Sequence, residues 1–218
     1  SITIFHKIKS TKLYFPLNVF IVRSNERSDV VLESEKENWF DWLKTIFFAA
    51  VLVIGVRYFL VTPIAVQGAS MMPTLEDGEM LVVDKITPKI TDFDRFDVIV
   101  FKATEEENYV KRIIGLPGDT VQYIDDVLYI NGEKYDEPYL DDYKAALMDT
   151  GTLTEDFALE EYLQQTVVPK GHLFVLGDNR RKSVDSRLLE VGFIPVNTVI
   201  GEARFVYWPL SEVGLIKK

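Results

Sequence analysis

From Thr45 to Val61 the chain reads TIFFAAVLVIGVRYFLV, seventeen residues whose single charge, Arg57, stands close to the end. As a helix rising about 1.5 Å per residue this run is about 26 Å long, near the roughly 30 Å of a bilayer's hydrocarbon layer. Arg57 can snorkel outward at that depth. Trp39 and Trp42 before the run and Tyr58 near its far end suit the two interfaces, where amphipathic rings prefer to lie. The apolar core of a removable leader usually has 7–15 residues and stands near the start of a chain. This run is longer and begins at residue 45, so the expectation is a retained transmembrane helix within residues 39–62 rather than a buried helix of a soluble domain.

Charge orients such a helix. Residues 1–44 carry Lys7, Lys9, Lys12, Arg23, Arg27, Lys36 and Lys44, whereas no Lys or Arg stands between Arg57 and Lys85. The positive-inside rule puts the N-terminal side in the cytosol and the rest outside: a single-pass protein of the cell membrane in contact with lipid. Residues 1–38 are a polar tail whose moderately apolar opening is broken by Lys7, Lys9, Lys12 and Pro16, and no function is assigned to it.

Apolar types make up 47% of the 218 residues, enough for a real core beyond the helix. The formal net charge of −10 and the lack of a basic stretch argue against a nucleic-acid partner. Cysteine is absent, which excludes a thiol nucleophile, a disulfide framework and a cysteine metal site. With two histidines, His6 and His172, and no HExxH, a metal site has almost no ligands to draw on, and no cofactor is expected.

Residues 63–218 read as mainly β. EMLVVDKI, FDVIVFK, NYVKRIIGL, TVQYIDDVLYINGEKY, HLFVLGD and VIGEARFVYW are short β-branched and aromatic runs divided by Gly, Pro and Asp. Asn131-Gly132 is a tight hairpin signal. The acidic stretch 141–163 breaks the pattern and reads as a helical or loop insertion, part of a small mixed insertion spanning about residues 120–170.

Three polar stretches carry possible chemistry. In GASMMPTL, Ser70 follows the small residues Gly68 and Ala69, and Pro73 with Thr74 fixes a turn behind it; alone this is a turn, because a serine hydroxyl needs a base to become a nucleophile. In NYVKRIIGLPGD, strand alternation puts Lys111 on the face of Tyr109 and Ile113, and Arg112 on the other, so one cation must meet apolar company. Burial lowers a lysine pKa and yields a neutral amine able to act as a base, a part arginine cannot play. His172 is the other candidate base, although no GxSxG elbow surrounds Ser70. GDNRRKSVDSR, residues 177–187, is either a solvated loop or a shell that orients the lysine, with Asp185 paired to Arg187 as a strut.

Taken together and in this order, SMMPTL after a membrane segment, RFDVIVF, VKRIIGLPGD and GDNRRKSVDSR resemble the signature boxes of the bacterial type I signal peptidases, the membrane-bound leader peptidases, over about residues 40–208. The resemblance implies a transmembrane helix followed by an antiparallel β-sheet catalytic domain, and a serine endopeptidase that removes signal peptides from secretory preproteins through an acyl-enzyme. It implies Ser70 as nucleophile and Lys111 as general base. Ser183 resembles the serine that orients the lysine, Asp178, Arg180, Asp185 and Arg187 match structural positions, and Met71 matches a residue shaping the substrate site. Some members carry a hydroxyl oxyanion donor where Gly68 stands here, which leaves backbone N–H groups, that of Ser70 among them.

An extended substrate is then expected to add as a strand between Val66–Ala69 and Asn108, Tyr109 and Val110, with shallow pockets for the small residues at −3 and −1 of a signal peptide. The translocation machinery is a further expected partner, and the pattern is closer to the Gram-positive enzymes. Two rivals stand beside this reading: a self-cleaving repressor type of Ser-Lys protease, which needs no membrane segment, and a non-catalytic single-pass surface protein with a β-rich ectodomain.

Overall fold

A computed structural model describes residues 39–59, 61–86 and 91–218. The expected tail, residues 1–38, lies outside the described residues. The described residues from Leu43 onward belong to one compact unit, residues 43–218.

Helix α1 (Trp39–Phe59) covers the apolar run. Among the described residues no helix is long and apolar enough to cross a membrane. Its apolar side chains are exposed on successive positions rather than on one stripe: Phe47, Phe48, Val51, Leu52, Val53 and Ile54 each show half or more of their surface. The run does not stay helical to its end, because β1 (Val61–Ala65) takes its last residue and pairs antiparallel with β2 (Met80–Asp84). Pro63 cannot continue a helix, and it is tolerated in β1 because that strand forms the sheet's edge.

The remaining strands of the main sheet are β3 (Val98–Lys102), β4 (Asn108–Gly115), β9 (His172–Leu176), β10 (Ile194–Pro195), β11 (Val199–Trp208) and β12 (Gly214–Leu215). Among the described residues β1 and β2 join them in one sheet of eight in the order β1-β2-β11-β3-β4-β9-β10, with β12 on β11, and neighbouring strands pair antiparallel. Burial explains the sequences. β2 alternates, hiding Leu81 and Val83, whereas Val98 to Phe101 of the central β3 are buried on both faces.

A smaller four-stranded sheet holds β5 (Val121–Ile124), β6 (Val127–Ile130), β7 (Glu133–Tyr135) and β8 (Phe157–Ala158) in the order β7-β6-β5-β8. Asn131 and Gly132 close β6 onto β7 with φ of 55° and 80°, as the sequence suggests. A second turn of positive φ, at Asp125 and Asp126, closes β5 onto β6. The acidic stretch supplies two short helices, α2 (Asp141–Ala145) and α3 (Leu159–Leu163), around β8. Ile114, Phe174 and Leu176 of the main sheet pack with Val121, Tyr123, Leu128, Ile130 and Phe157 into one core between the sheets. Gly115 stands at the crossing, where a Cβ would lie 2.9 Å from a methyl of Val121 and 3.0 Å from one of Val168.

Candidate active site

Ser70 follows β1 on a loop held from below. The Val66 N–H donates to the Glu79 carbonyl at 2.7 Å, and the Gly78 N–H to the Val66 carbonyl at 3.0 Å. Gly68, at φ +81°, donates its N–H to Asp77 Oδ1 at 2.7 Å. Met71 and Leu75 are buried with Val66, Leu81, Val83, Val98 and Val100, so the turn after the serine is seated in the core while Ser70 itself stays half-buried.

Lys111 lies on β4 in register with Ile99 of β3 and is 3% exposed. Its Nζ donates to Ser70 Oγ at 2.7 Å and to its neighbour's carbonyl, Val110 O, at 3.1 Å, and it stands 5.2 Å from the centre of the Tyr109 ring. Burial pulls its pKa from 10.5 down to about 8, against the smaller opposing pull of Asp185 and Asp178. The strand alternation thus delivers the amine to the serine. Arg112 is the other cation, and it too is buried, held by a carboxylate.

That carboxylate comes from the loop after β9. Arg112 Nε and Nη2 donate to the two oxygens of Asp178 at 2.9 and 2.7 Å, with both side chains fully buried, and Nη1 donates to Phe96 O and Lys217 O. Asp185 accepts from Arg187 at both oxygens, 2.9 Å each, and from the Gly177 N–H at 3.1 Å, so the expected strut exists. Arg180 is buried against Glu137 and donates to Tyr123 Oη and Thr154 Oγ1, which ties the loop to the small sheet. The solvated-loop reading holds for Arg181 and Lys182, which are exposed, and fails for Asp178, Arg180, Asp185 and Ser186, which are buried, each of these three charges having an ionic partner.

Ser183 differs from expectation. Its Oγ is buried without a hydrogen-bond partner, the lysine's two bonds being directed to Ser70 and Val110 instead. It packs into the space that Gly177 leaves, for a Cβ at Gly177 would meet Ser183 Oγ at 2.1 Å and the Ser70 carbonyl at 2.4 Å. Sequence reasoning missed Asn179, which clamps the nucleophile loop: its N–H donates to Ser70 O at 3.1 Å and its Nδ2 to Ala69 O at 2.9 Å. It also missed Glu137, which accepts from Tyr123, Tyr139 and Arg180. His172 opens β9 beside Pro195, with its Nδ1 3.1 Å from Lys170 O, and is not part of the cleft.

A cleft of about 650 Å³ runs to this pair of side chains. One wall is the stretch 64–71, with Val66, Gly68, Ser70 and Met71; the other is 106–111, with Asn108, Tyr109, Val110 and Lys111; Lys182 and Val184 complete it. Every residue expected to bind substrate therefore borders one groove. Its walls are an edge strand's continuation and the start of β4.

Comparison with known proteins bears on what such a groove does. A family model for signal peptidase, peptidase S26, matches residues 39–208. The chain is 51% identical over 166 residues to signal peptidase I of Bacillus caldolyticus, covering 76% of this chain and 90% of that one. It is 40% identical over 195 residues to signal peptidase I T of Bacillus subtilis (strain 168), covering 88% and 97%. Signal peptidase IB of Staphylococcus aureus is 41% identical over 180 residues, covering 81% and 93%. A crystal structure of a signal peptidase I from Enterococcus faecalis V583 matches 51% of this chain and 97% of that one at 44% identity, with a TM-score of 0.48.

Proposed function

The chain belongs to the signal peptidase family, peptidase S26, and from that premise we propose that it cuts secretory preproteins with Ser70 as nucleophile and Lys111 as base. It is a serine endopeptidase that removes signal peptides. The rival readings, a cytosolic self-cleaving repressor and a silent surface protein, do not account for similarity over this length.

The observation that carries the catalytic assignment is the 2.7 Å contact of Lys111 Nζ with Ser70 Oγ at the head of the cleft. A lysine lowered to about 8 is partly neutral near neutral pH and can take the hydroxyl proton as Oγ attacks the scissile carbonyl. The Oγ–C bond forms, the C–N bond breaks, and Lys111 returns the proton to the leaving amine. It then activates water, which releases the acyl group. The Ser70 N–H faces the developing oxyanion, since Gly68 carries no side chain to do so. Asn179 and the Arg112–Asp178 and Asp185–Arg187 pairs keep the two reacting residues in place.

The substrate's last residues before the cut lie as an added strand between 64–69 and 108–110, with small residues at −1 and −3 over Met71, Val66 and Val110. Residues 39–62 anchor the chain in the bilayer with the tail 1–38 in the cytosol and 63–218 outside. The support is the apolar surface of α1, exposed at Phe47, Phe48 and Leu52. Such an anchor sets the groove near the membrane surface, where the translocation machinery delivers its cargo, so proximity comes from topology.

The test is cleavage of a purified preprotein in detergent, with the new N-terminus sequenced. Cutting after an A-x-A site by wild type and none by Ser70→Ala supports the proposal; equal cutting by both refutes it.

A further inference from the structure

The signal peptidase reading says nothing of charge in the substrate, yet the groove is electrically lopsided. Among its described lining residues the exposed charges are Glu106 and Glu107 on one side and Lys182 on another. The acidic pair sits on a defined turn rather than a loose tip: Thr104 Oγ1 accepts from the Glu106 and Glu107 N–H groups at 3.2 and 3.0 Å, and the Glu107 carbonyl accepts from Ala103 and Thr104. Lys182 lines the groove from the loop after β9. Its N–H donates to Asn179 O at 3.0 Å, and the next residue, Ser183, packs in the gap beside the Ser70 carbonyl.

Distances along the strand place these charges relative to the cut. Glu107 and Glu106 lie on the turn just before β4, whose three steps from Asn108 to Lys111 span about 10 Å, so the pair stands beyond the reach of about three extended substrate residues. If the acyl half of the substrate fills this arm, as the proposed function requires, the two carboxylates flank positions −4 and −5. If the amine side leaves Ser70 past the 182–184 segment, whose Ser183 packs beside the Ser70 carbonyl, the Lys182 ammonium meets the first residues of the mature protein.

We infer that Lys182 and the Glu106–Glu107 pair read substrate charge with opposite signs on the two sides of the scissile bond. An acidic residue shortly after the cut is favoured by Lys182, and the same residue at −4 or −5 is disfavoured by the glutamates. Exposed ion pairs contribute little each, so the preference is roughly two- to fivefold per position and fades with added salt. This inference rests on the signal peptidase reading for the direction of the bound chain.

The experiment uses the full chain in a neutral detergent and a peptide series sharing one A-x-A core, with Asp, Asn or Lys at the second residue after the cut or at −5. The readout is the ratio of kcat/KM for Asp over Lys peptides, which cancels general losses of activity. Wild type is expected to give a ratio above one at the second mature position and below one at −5. Lys182→Glu inverts the first ratio and leaves the second, and Glu106→Gln with Glu107→Gln erases the second and leaves the first; 0.5 M salt moves both toward one. A first ratio untouched by Lys182→Glu overturns the inference while the enzyme's cutting upholds the proposed function. If wild type cuts no peptide of the series and no preprotein, both fail.

Discussion

Lys111 Nζ and Ser70 Oγ, 41 residues apart in the chain, stand 2.7 Å apart in the fold. The pairing of β4 with β3 and the Asn179 clamp on the serine's own carbonyl hold that separation from two sides. Because one partner is an amine depressed to about 8, its protonation governs the rate. kcat/KM is expected to rise about tenfold per pH unit from pH 6 and to level off near pH 8, measured on a peptide substrate between pH 6 and 10. A profile already flat at pH 6.5 would mean that another group is the base.

The same buried amine burdens the fold. The folded state holds Lys111 at about 8 and the unfolded chain at 10.5, so between these values the unfolded state binds more protons and stability rises with pH. Below pH 8 the burden is complete, on the order of 3 kcal/mol at most. Lys111→Met should therefore be more stable than wild type at pH 7 by about 1–3 kcal/mol, an advantage that disappears by pH 10.5. Urea unfolding at the two pH values checks the sign.

Gly177 is expected to tolerate no side chain. A methyl there meets the Ser70 carbonyl at 2.4 Å, and backbone has little freedom to withdraw. Gly177→Ala should lose about a hundredfold or more in kcat, in keeping with the cost of an ångström's misplacement at a reacting centre. Circular dichroism that shows a retained sheet would separate this from unfolding.

Asp178→Asn leaves the Arg112 guanidinium buried without its counter-charge. Removing one member of such a pair costs about 3–5 kcal/mol. The melting temperature should fall far more than for Asp149→Asn, whose partner Arg181 stands in water. Similar losses for the two variants would contradict the buried pairing.

At Gly68 the hydroxyl found in some relatives is not expected to help. The φ of +81° puts any L side chain in the left-handed region, at roughly 1–2 kcal/mol. Gly68→Ser should lower kcat or leave it unchanged; a clear rise in kcat would mean that a side-chain oxyanion donor fits here after all.

Much of this site was legible in the chain. The strand runs announce β2 to β7, β9 and β11 through β-branched spacing, and Asn131-Gly132 marks its turn, because these signals are local. The alternation that puts Lys111 and Arg112 on opposite faces is local too. Its consequence, that both are buried, depends on Asp178 arriving 66 residues later, which no spacing reveals. For the same reason Asn179 and Glu137 escaped notice: an Asn in a turn and a Glu before a Pro look solvated, and only packing of the small sheet against the loop makes them partners. Asp125-Asp126 lacks the glycine that usually flags positive φ, and β1 has no signal of its own because it starts on the last residue of the apolar run and contains Pro63.

The most direct test of the Ser70–Lys111 unit is a double-mutant cycle on preprotein cleavage with Ser70→Ala, Lys111→Ala and the pair combined, each checked for an unchanged fold. If serine and lysine work as one unit, each single change removes nearly all activity and the double variant is no worse than either. Lys111→Ala that keeps a sizeable share of wild-type cleavage, or losses that multiply in the double variant, would contradict it.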